Sequence, residues 1–219
     1  MKVLAVALAR VTALSQLIEW DPYGRSYLPD FIKGMVERYG FQSFPKTPEE
    51  YSSPNGAVFS VGRMGDINIQ SYWIYRGGLV VDTRSSTEDA ETVLKDITEW
   101  FSENFGAKSA IERITRKFYL SQLEFYSEQN LNALNPKFRP LAEMLANTVS
   151  DHLKQTVKFE ATKIVLQNDV LKGPTFSLPL SVERLENSLF EENRYFSSAP
   201  LPTNEHIAFL EKFESILSG

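Results

Sequence analysis

Residues 57 to 83 constrain the fold more than any other part of the chain. The segments "AVFSVGR", "INIQSYWIY" and "LVVDT" are rich in β-branched and aromatic residues, and the glycine-bearing breaks "MGD" and "RGG" separate them. That pattern predicts three antiparallel strands in a meander. Phe59 and Val61 alternate with Ser60 and Gly62, as one buried and one open face require. In "SYWIY" the pattern changes, because Tyr72 and Ile74 project opposite to Trp73 and Tyr75 and both sets are apolar. The second face therefore calls for a cover, from this chain or another, and Tyr72 and Trp73 are candidate partner-surface residues.

The next segment, "RSSTEDAETVLKDITEWFSENFG", predicts an amphipathic helix. Ala90, Val93, Leu94, Ile97, Trp100, Phe101 and Phe105 fall on one arc, with the acids outside it and Lys95 as the only base. Ser85 with Glu88 forms a capping box, with Ser86 and Asp89 as another register, and Gly106 ends the helix. Upstream, residues 2 to 18 fit either period and are read as a strand. After the breaker "WDPYG", "SYLPDFIKGMVERYG" predicts a helix that turns Phe31, Met35 and Val36 inward and stops at Gly40. A proline-rich loop, "FQSFPKTPEEYSSPNG", leads into the meander.

The second half begins with the strand "RKFYLSQLEFY", whose apolar phase slips between Leu120 and Leu123 and suggests a bulge or burial on both faces. "PKFRPLAEMLANTVSDHL" predicts a helix with Pro140 in its first turn and Leu141, Met144, Leu145 and Val149 facing the core. "VKFEATKIVLQ" and "TFSLPLSVE" read as strands. In the second of these Phe176, Leu178, Leu180 and Val182 alternate with Ser177, Pro179 and Ser181, and the proline points to a sheet edge. "TNEHIAFLEKFESIL" closes as a helix capped by Thr203 or Asn204. The expected fold is α+β, with antiparallel meanders and packed helices in two similar strand-helix-strands-helix halves. Residues 1–219 form one compact unit in this reading, divisible into lobes at 1–106 and 115–219, with no residue-level repeat to establish a duplication.

With 219 residues, 42% of them hydrophobic and 12% aromatic, the chain has material for a sizeable core. A net charge of -5 argues against a general nucleic-acid or anionic-membrane binder, which needs excess Lys and Arg. The absence of cysteine removes disulfides, thiolate metal sites and cysteine nucleophiles. "MKVLAVALAR" begins like a secretory signal, but its apolar run ends at Arg10. A soluble, cytoplasmic protein is expected, with no membrane partner.

Catalytic signals are sparse. The chain has no phosphate-binding G-x-x-x-x-G-K-[ST] loop, no G-x-S-x-G elbow, no H-E-x-x-H and no dinucleotide fingerprint. His152, in the last turn of its helix, and His206, in the first turn of the last one, have structural readings. Asp82 at a strand end, with Glu88 and Asp89 close behind, is a candidate oxygen-ligand set for Mg²⁺ in a metal-dependent hydrolase or nuclease. The same acids also suit a helix N-terminus. Lys108, Arg113, Arg116 and Lys117 could hold a phosphate, although Glu112 lies among them and an ordinary solvated connector has the same composition.

The stretch "FEENRYFSSAPLPT" holds the last candidate. Phe190 can anchor the chain and "APLPT" delivers it to the final helix, but Tyr195 and Phe196 are neighbours and must point to opposite sides of an extended chain. Arg194 and one of these rings are candidates for a partner or ligand surface. The reading that remains is a non-enzymatic protein-interaction or assembly subunit, bound to a protein partner or to itself, with a homodimer among the forms admitted and no cofactor. Metal-dependent hydrolysis, and a small-ligand or nucleotide sensor with a pocket between the lobes, are the alternatives.

Overall fold

The computed structural model describes residues 1–15, 28–51, 56–105, 110–169, 171–172 and 178–218. "WDPYG", Gly106, Lys108, Phe176 and Ser177 lie outside the described residues. The strands are β1 (Lys2–Leu14), β2 (Ala57–Met64), β3 (Ile67–Tyr75), β4 (Gly78–Thr83), β5 (Arg116–Tyr126), β6 (Lys163–Leu166), β7 (Leu180–Arg184) and β8 (Arg194–Ala199). The helices are α1 (Leu28–Tyr39), the four-residue α2 (Pro48–Tyr51), α3 (Thr87–Phe105), α4 (Phe138–Leu153) and α5 (Thr203–Ser218). The protein is α+β, and its strands form one antiparallel sheet ordered β2-β3-β4-β1-β5-β8-β7-β6. Among the described residues no helix is long and apolar enough to cross a membrane.

Two compact units divide the chain. One comprises Val6–Ser121 with Leu201–Thr203, and the other Met1–Ala5, Gln122–Pro200 and Asn204–Gly219. In the first, the meander follows the glycine-marked breaks: Phe59 pairs with Tyr72, Tyr72 with Val81, and Val81 with Val11. These four share one face, because paired residues of adjacent strands point the same way. Against that face pack Phe31, Ile32 and Met35 of α1 and Ala90, Val93, Leu94 and Ile97 of α3, all buried. Gly34 lets α1 approach α3, since a Cβ there would lie 2.5 Å from the Trp100 ring. Arg38 and Tyr39 then hold Asp96 through hydrogen bonds of 2.6 to 3.1 Å. Gly40 ends α1 at φ +62°, where a side chain would be strained.

The N-cap of α3 is Ser86: its Oγ accepts from Asp89 N–H at 3.0 Å, which corrects the Ser85–Glu88 register. Thr87 N–H donates to Thr203 Oγ1 at 3.0 Å, and Thr203 N–H donates to Thr87 Oγ1 at 2.7 Å. Thr203 therefore serves the start of α3, a role its own helix did not suggest. At the sheet edge, β2 breaks regularity at Val61, whose φ of +57° is unusual for a β-branched residue, and Ser43 bridges Ser60 beside it. An irregular, locally covered edge resists pairing with other chains.

In the second unit Leu123, Phe125, Val182, Tyr195 and Leu210 are buried. The expected phase slip in β5 is not needed: Ser121, Leu123 and Phe125 are buried in strict alternation, with a serine occupying a core position. β7 lies between β8 and β6, so it is not the edge strand; Pro179 precedes it, where no ladder bond is lost. The edge is β6, shorter than the strand read across residues 157 to 167. The largest departure is α4. It forms where expected, with Pro140 in its first turn, but no residue of it is buried, and Leu141, Met144 and Leu145 do not face the core.

Candidate docking surface

The candidate residues fall into three environments. Tyr72 is 1% exposed and belongs to the core, so its ring is not offered to a partner. Trp73, on the other face, is half-buried; its Nε1–H donates to Ser71 Oγ at 2.7 Å, and its ring stacks on Tyr75 at 5.8 Å and 10°. Trp73, Ile74 and Tyr75 are all half-buried. Arg10 grips Asp82 with Nε and Nη2 at 2.7 and 2.9 Å, and Ser71 donates to the same carboxylate at 2.8 Å. Asp82 is thereby occupied, Glu88 accepts from Thr87 Oγ1, and Asp89 sits at the capped helix start. Among the described residues no three His, Asp or Glu side chains converge as a metal site requires.

Of the basic cluster, Lys117 pairs with Glu91 at 2.8 Å, and Arg116 lies 5.9 Å from the Phe118 ring. Tyr119 also donates to Glu91 at 2.6 Å. Burial opposes ionisation of Glu91, but these two hydrogen bonds outweigh it, so its carboxyl titrates below the usual range.

Phe190–Glu192 form a 3-10 turn, and the chain alternates as an extended strand must only from Arg194 onward. Tyr195 is 1% exposed, while Arg194 and Phe196 are half-buried, so the buried ring is Tyr195 and any outward surface belongs to its neighbours. The segment also clamps a residue that the sequence reading passed over. Arg184 is buried with its guanidinium 4.9 Å from the Phe190 ring and 5.3 Å from the Tyr195 ring. Its Nη1 donates to the carbonyls of Leu189 and Phe190, and its Nη2 to Glu160 Oε2 at 3.2 Å. Asn130 donates to the same oxygen at 2.8 Å, and Lys158 pairs with Oε1 at 2.8 Å. Desolvation disfavours the Glu160 carboxylate, but the hydrogen bonds from Lys158 and Asn130 prevail and lower its pKa. One signal for this cluster was legible: Arg184 shares the strand phase of buried Val182, and a cation at a core position demands a buried acid.

Beside Glu160 lies the surface of α4. Leu141, Met144 and Leu145 are 57%, 61% and 45% exposed, with Phe138 and Leu153 also open. At 100° per residue Phe138, Leu141, Leu145 and Val149 share one side of the helix, with Met144 on its shoulder. Adjoining this ridge is a cleft of about 590 Å³ between α4 and residues 157–160, lined by Ala133, Pro136, Ala142, Ala146, Val157 and Phe159 together with Arg139, Glu143, Lys158 and Glu160. Ser150 Oγ accepts from Val157 N–H at 3.1 Å, tying the end of α4 to that segment. Ridge and cleft together make an apolar surface with charged borders, the composition of a docking site for a helix or extended segment. No protein-family model matches the chain, and no curated protein sequence matches it.

Proposed function

We propose that this protein is a non-enzymatic interaction or assembly subunit that docks its partner on α4. The observation that carries the reading is the exposure of Leu141, Met144 and Leu145 on a four-turn amphipathic helix none of whose residues is buried. Such helices draw most of their stability from packing the apolar face, and a short helix exposed on that face is marginal in water.

The internal arrangement of the chain strengthens this reading. We take residues 1–106 and 115–219 as two versions of one strand-helix-strands-helix unit. The strand order supports it, since β2-β3-β4-β1 becomes β6-β7-β8-β5 when each number advances by four. Thr87 and Thr203, each first in its helix, exchange the same hydrogen bond in both directions, as equivalent positions would. In that correspondence α4 is the counterpart of α1. The face that α1 buries with Phe31, Ile32 and Met35 is left open in α4, and a partner completes it.

The test is to replace Leu141 and Met144 together by Glu and compare proteins co-purified from the native cells with variant and wild type. The expected result is a bound species lost from the variant while its melting temperature stays within about 2 °C. A fall of many degrees would mean that the face packs on its own chain. Identical bound species would mean that α4 does not dock.

A further inference from the structure

Independently of α4, we propose that the free edge of β6 pairs with the same edge of a second copy of this chain, strand against antiparallel strand. The two edges of the sheet are built differently. β2 is guarded by the left-handed φ of Val61 and by the bridge from Ser43 to Ser60. β6 has no such guard: "KIVL" carries no proline, its pairing with β7 runs from Lys163 to Leu166 without a bulge, and its one charge is tied to Glu183 at 2.6 Å. A regular, apolar edge strand is a template for another strand.

The hydrogen-bond phase fixes which groups that edge offers. Arg184 N–H donates to the Thr162 carbonyl at 2.8 Å, so residues 162 and 184 are a hydrogen-bonded pair of the antiparallel ladder. Bonded and non-bonded pairs alternate along such a ladder. The register therefore turns the main-chain groups of Ile164 and Leu166 toward β7, and those of Lys163 and Val165 away from it. β6 is last in the strand order, so the N–H and C=O of Lys163 and Val165 face outward from every described strand. Donors and acceptors at that spacing match an extended chain.

The strand also complements itself. A two-fold axis normal to the sheet at Val165 sets Val165 opposite its own copy as a hydrogen-bonded pair, and sets Ile164 opposite Leu166 of the second copy on either side. Ile164 continues the row of buried Val182, while Val165 and Leu166, 48% and 55% exposed, gain apolar neighbours. The same axis holds the two Lys163 residues four positions apart, about 13 Å along the strands, which exceeds a Debye length of about 8 Å. A two-fold at Ile164 would bring them to about 7 Å and set each lysine against Val165, so the axis falls at Val165. Because both β2 edges are guarded, assembly closes at two copies. So short a strand contact falls below the ~1,200 Å² at which standard interfaces begin, and the dimer is reversible.

Light scattering across a concentration series should give the monomer mass in dilute solution and approach twice that mass at about 1 mM. Val165→Pro removes an N–H that faces the free edge and none that serves β7. It should abolish association and keep the melting temperature within about 4 °C of wild type, whereas Ile164→Pro, which removes a bond to β7, should lower it further. The chain has no native cysteine, so oxidation reports the register. The double variant Ile164→Cys, Leu166→Cys sets thiols opposite each other in non-bonded pairs, about 4.5 Å between Cα atoms, and should form a covalent dimer at least about tenfold faster than either single variant. The Leu141→Glu, Met144→Glu variant should associate like wild type; loss of the dimer there would move the contact to α4 and overturn the proposal. A wild-type monomer at about 1 mM overturns it, as does a dimer that survives Val165→Pro. So does a Val165→Pro protein that melts like Ile164→Pro, because the phase assigned to β6 would be wrong, or a double variant that oxidises no faster than Ile164→Cys alone.

Discussion

His206 is fully buried, with Nε2 2.8 Å from Ser197 Oγ. The same Ser197 hydroxyl donates to the Ser181 carbonyl at 2.8 Å. Burial lowers the imidazole pKa from 6.5 to about 4. Between those values the unfolded chain takes up a proton that the folded chain refuses. Stability therefore falls as pH is lowered from about 6.5 toward 4, by roughly 3 kcal/mol in total if this group acts alone. Glu160, with its lowered pKa, adds acid sensitivity of the same sign. His206→Gln keeps a hydrogen-bonding group beside Ser197 and removes the titration, so urea unfolding of the variant between pH 7 and 4.5 should show a shallower loss than wild type. Equal slopes would assign the sensitivity to the carboxylates. Single residues were the hardest scale to read from sequence: Ser85 and Ser86 offer the same cap chemistry, and Ser121 hides a core position because alternation is judged by polarity, not by burial.

At the scale of the element, α1 and α4 carry similar signals and meet different fates. Each has an apolar side at helical spacing, yet α1 is pinned by Gly34 against Trp100 and by the Arg38–Tyr39–Asp96 network, and α4 has no comparable fastening among its described contacts. Periodicity reports which side of a helix is apolar, and says nothing of what will cover it. For that reason the meander, α3 and the end of α1 at Gly40 were legible, whereas the outward face of α4 was not. The difference is measurable. Met35→Ala should cost about 2–5 kcal/mol, because Met35 is wholly buried and leaves a cavity, while Met144→Ala should change stability by less than about 0.5 kcal/mol in dilute solution. A comparable loss at both positions, followed by chemical denaturation, would place Met144 in a packed core.

Across the whole molecule, the order of elements along the chain was readable because each announces its own period. The order of strands in the sheet was not, since nothing in β1 names β4 and β5 as its neighbours. The reciprocal threonine pair has a consequence in time. Thr87 and Thr203 are 116 residues apart, and Thr203 belongs, with Leu201 and Pro202, to a unit whose remaining residues end at Ser121. During synthesis that unit waits for a residue emerging more than eighty positions later before the first N–H of α3 gains its partner. Closing so long a loop is entropically expensive, so the pair forms after the nucleus and contributes to the barrier mainly from the native side. Thr203→Val should leave the refolding rate nearly unchanged and speed unfolding several-fold in stopped-flow measurements. Slowed refolding would place this junction in the nucleus. With the expected result, the threonine pair acts as a latch: it sets how long the finished protein stays folded and not how quickly it gets there.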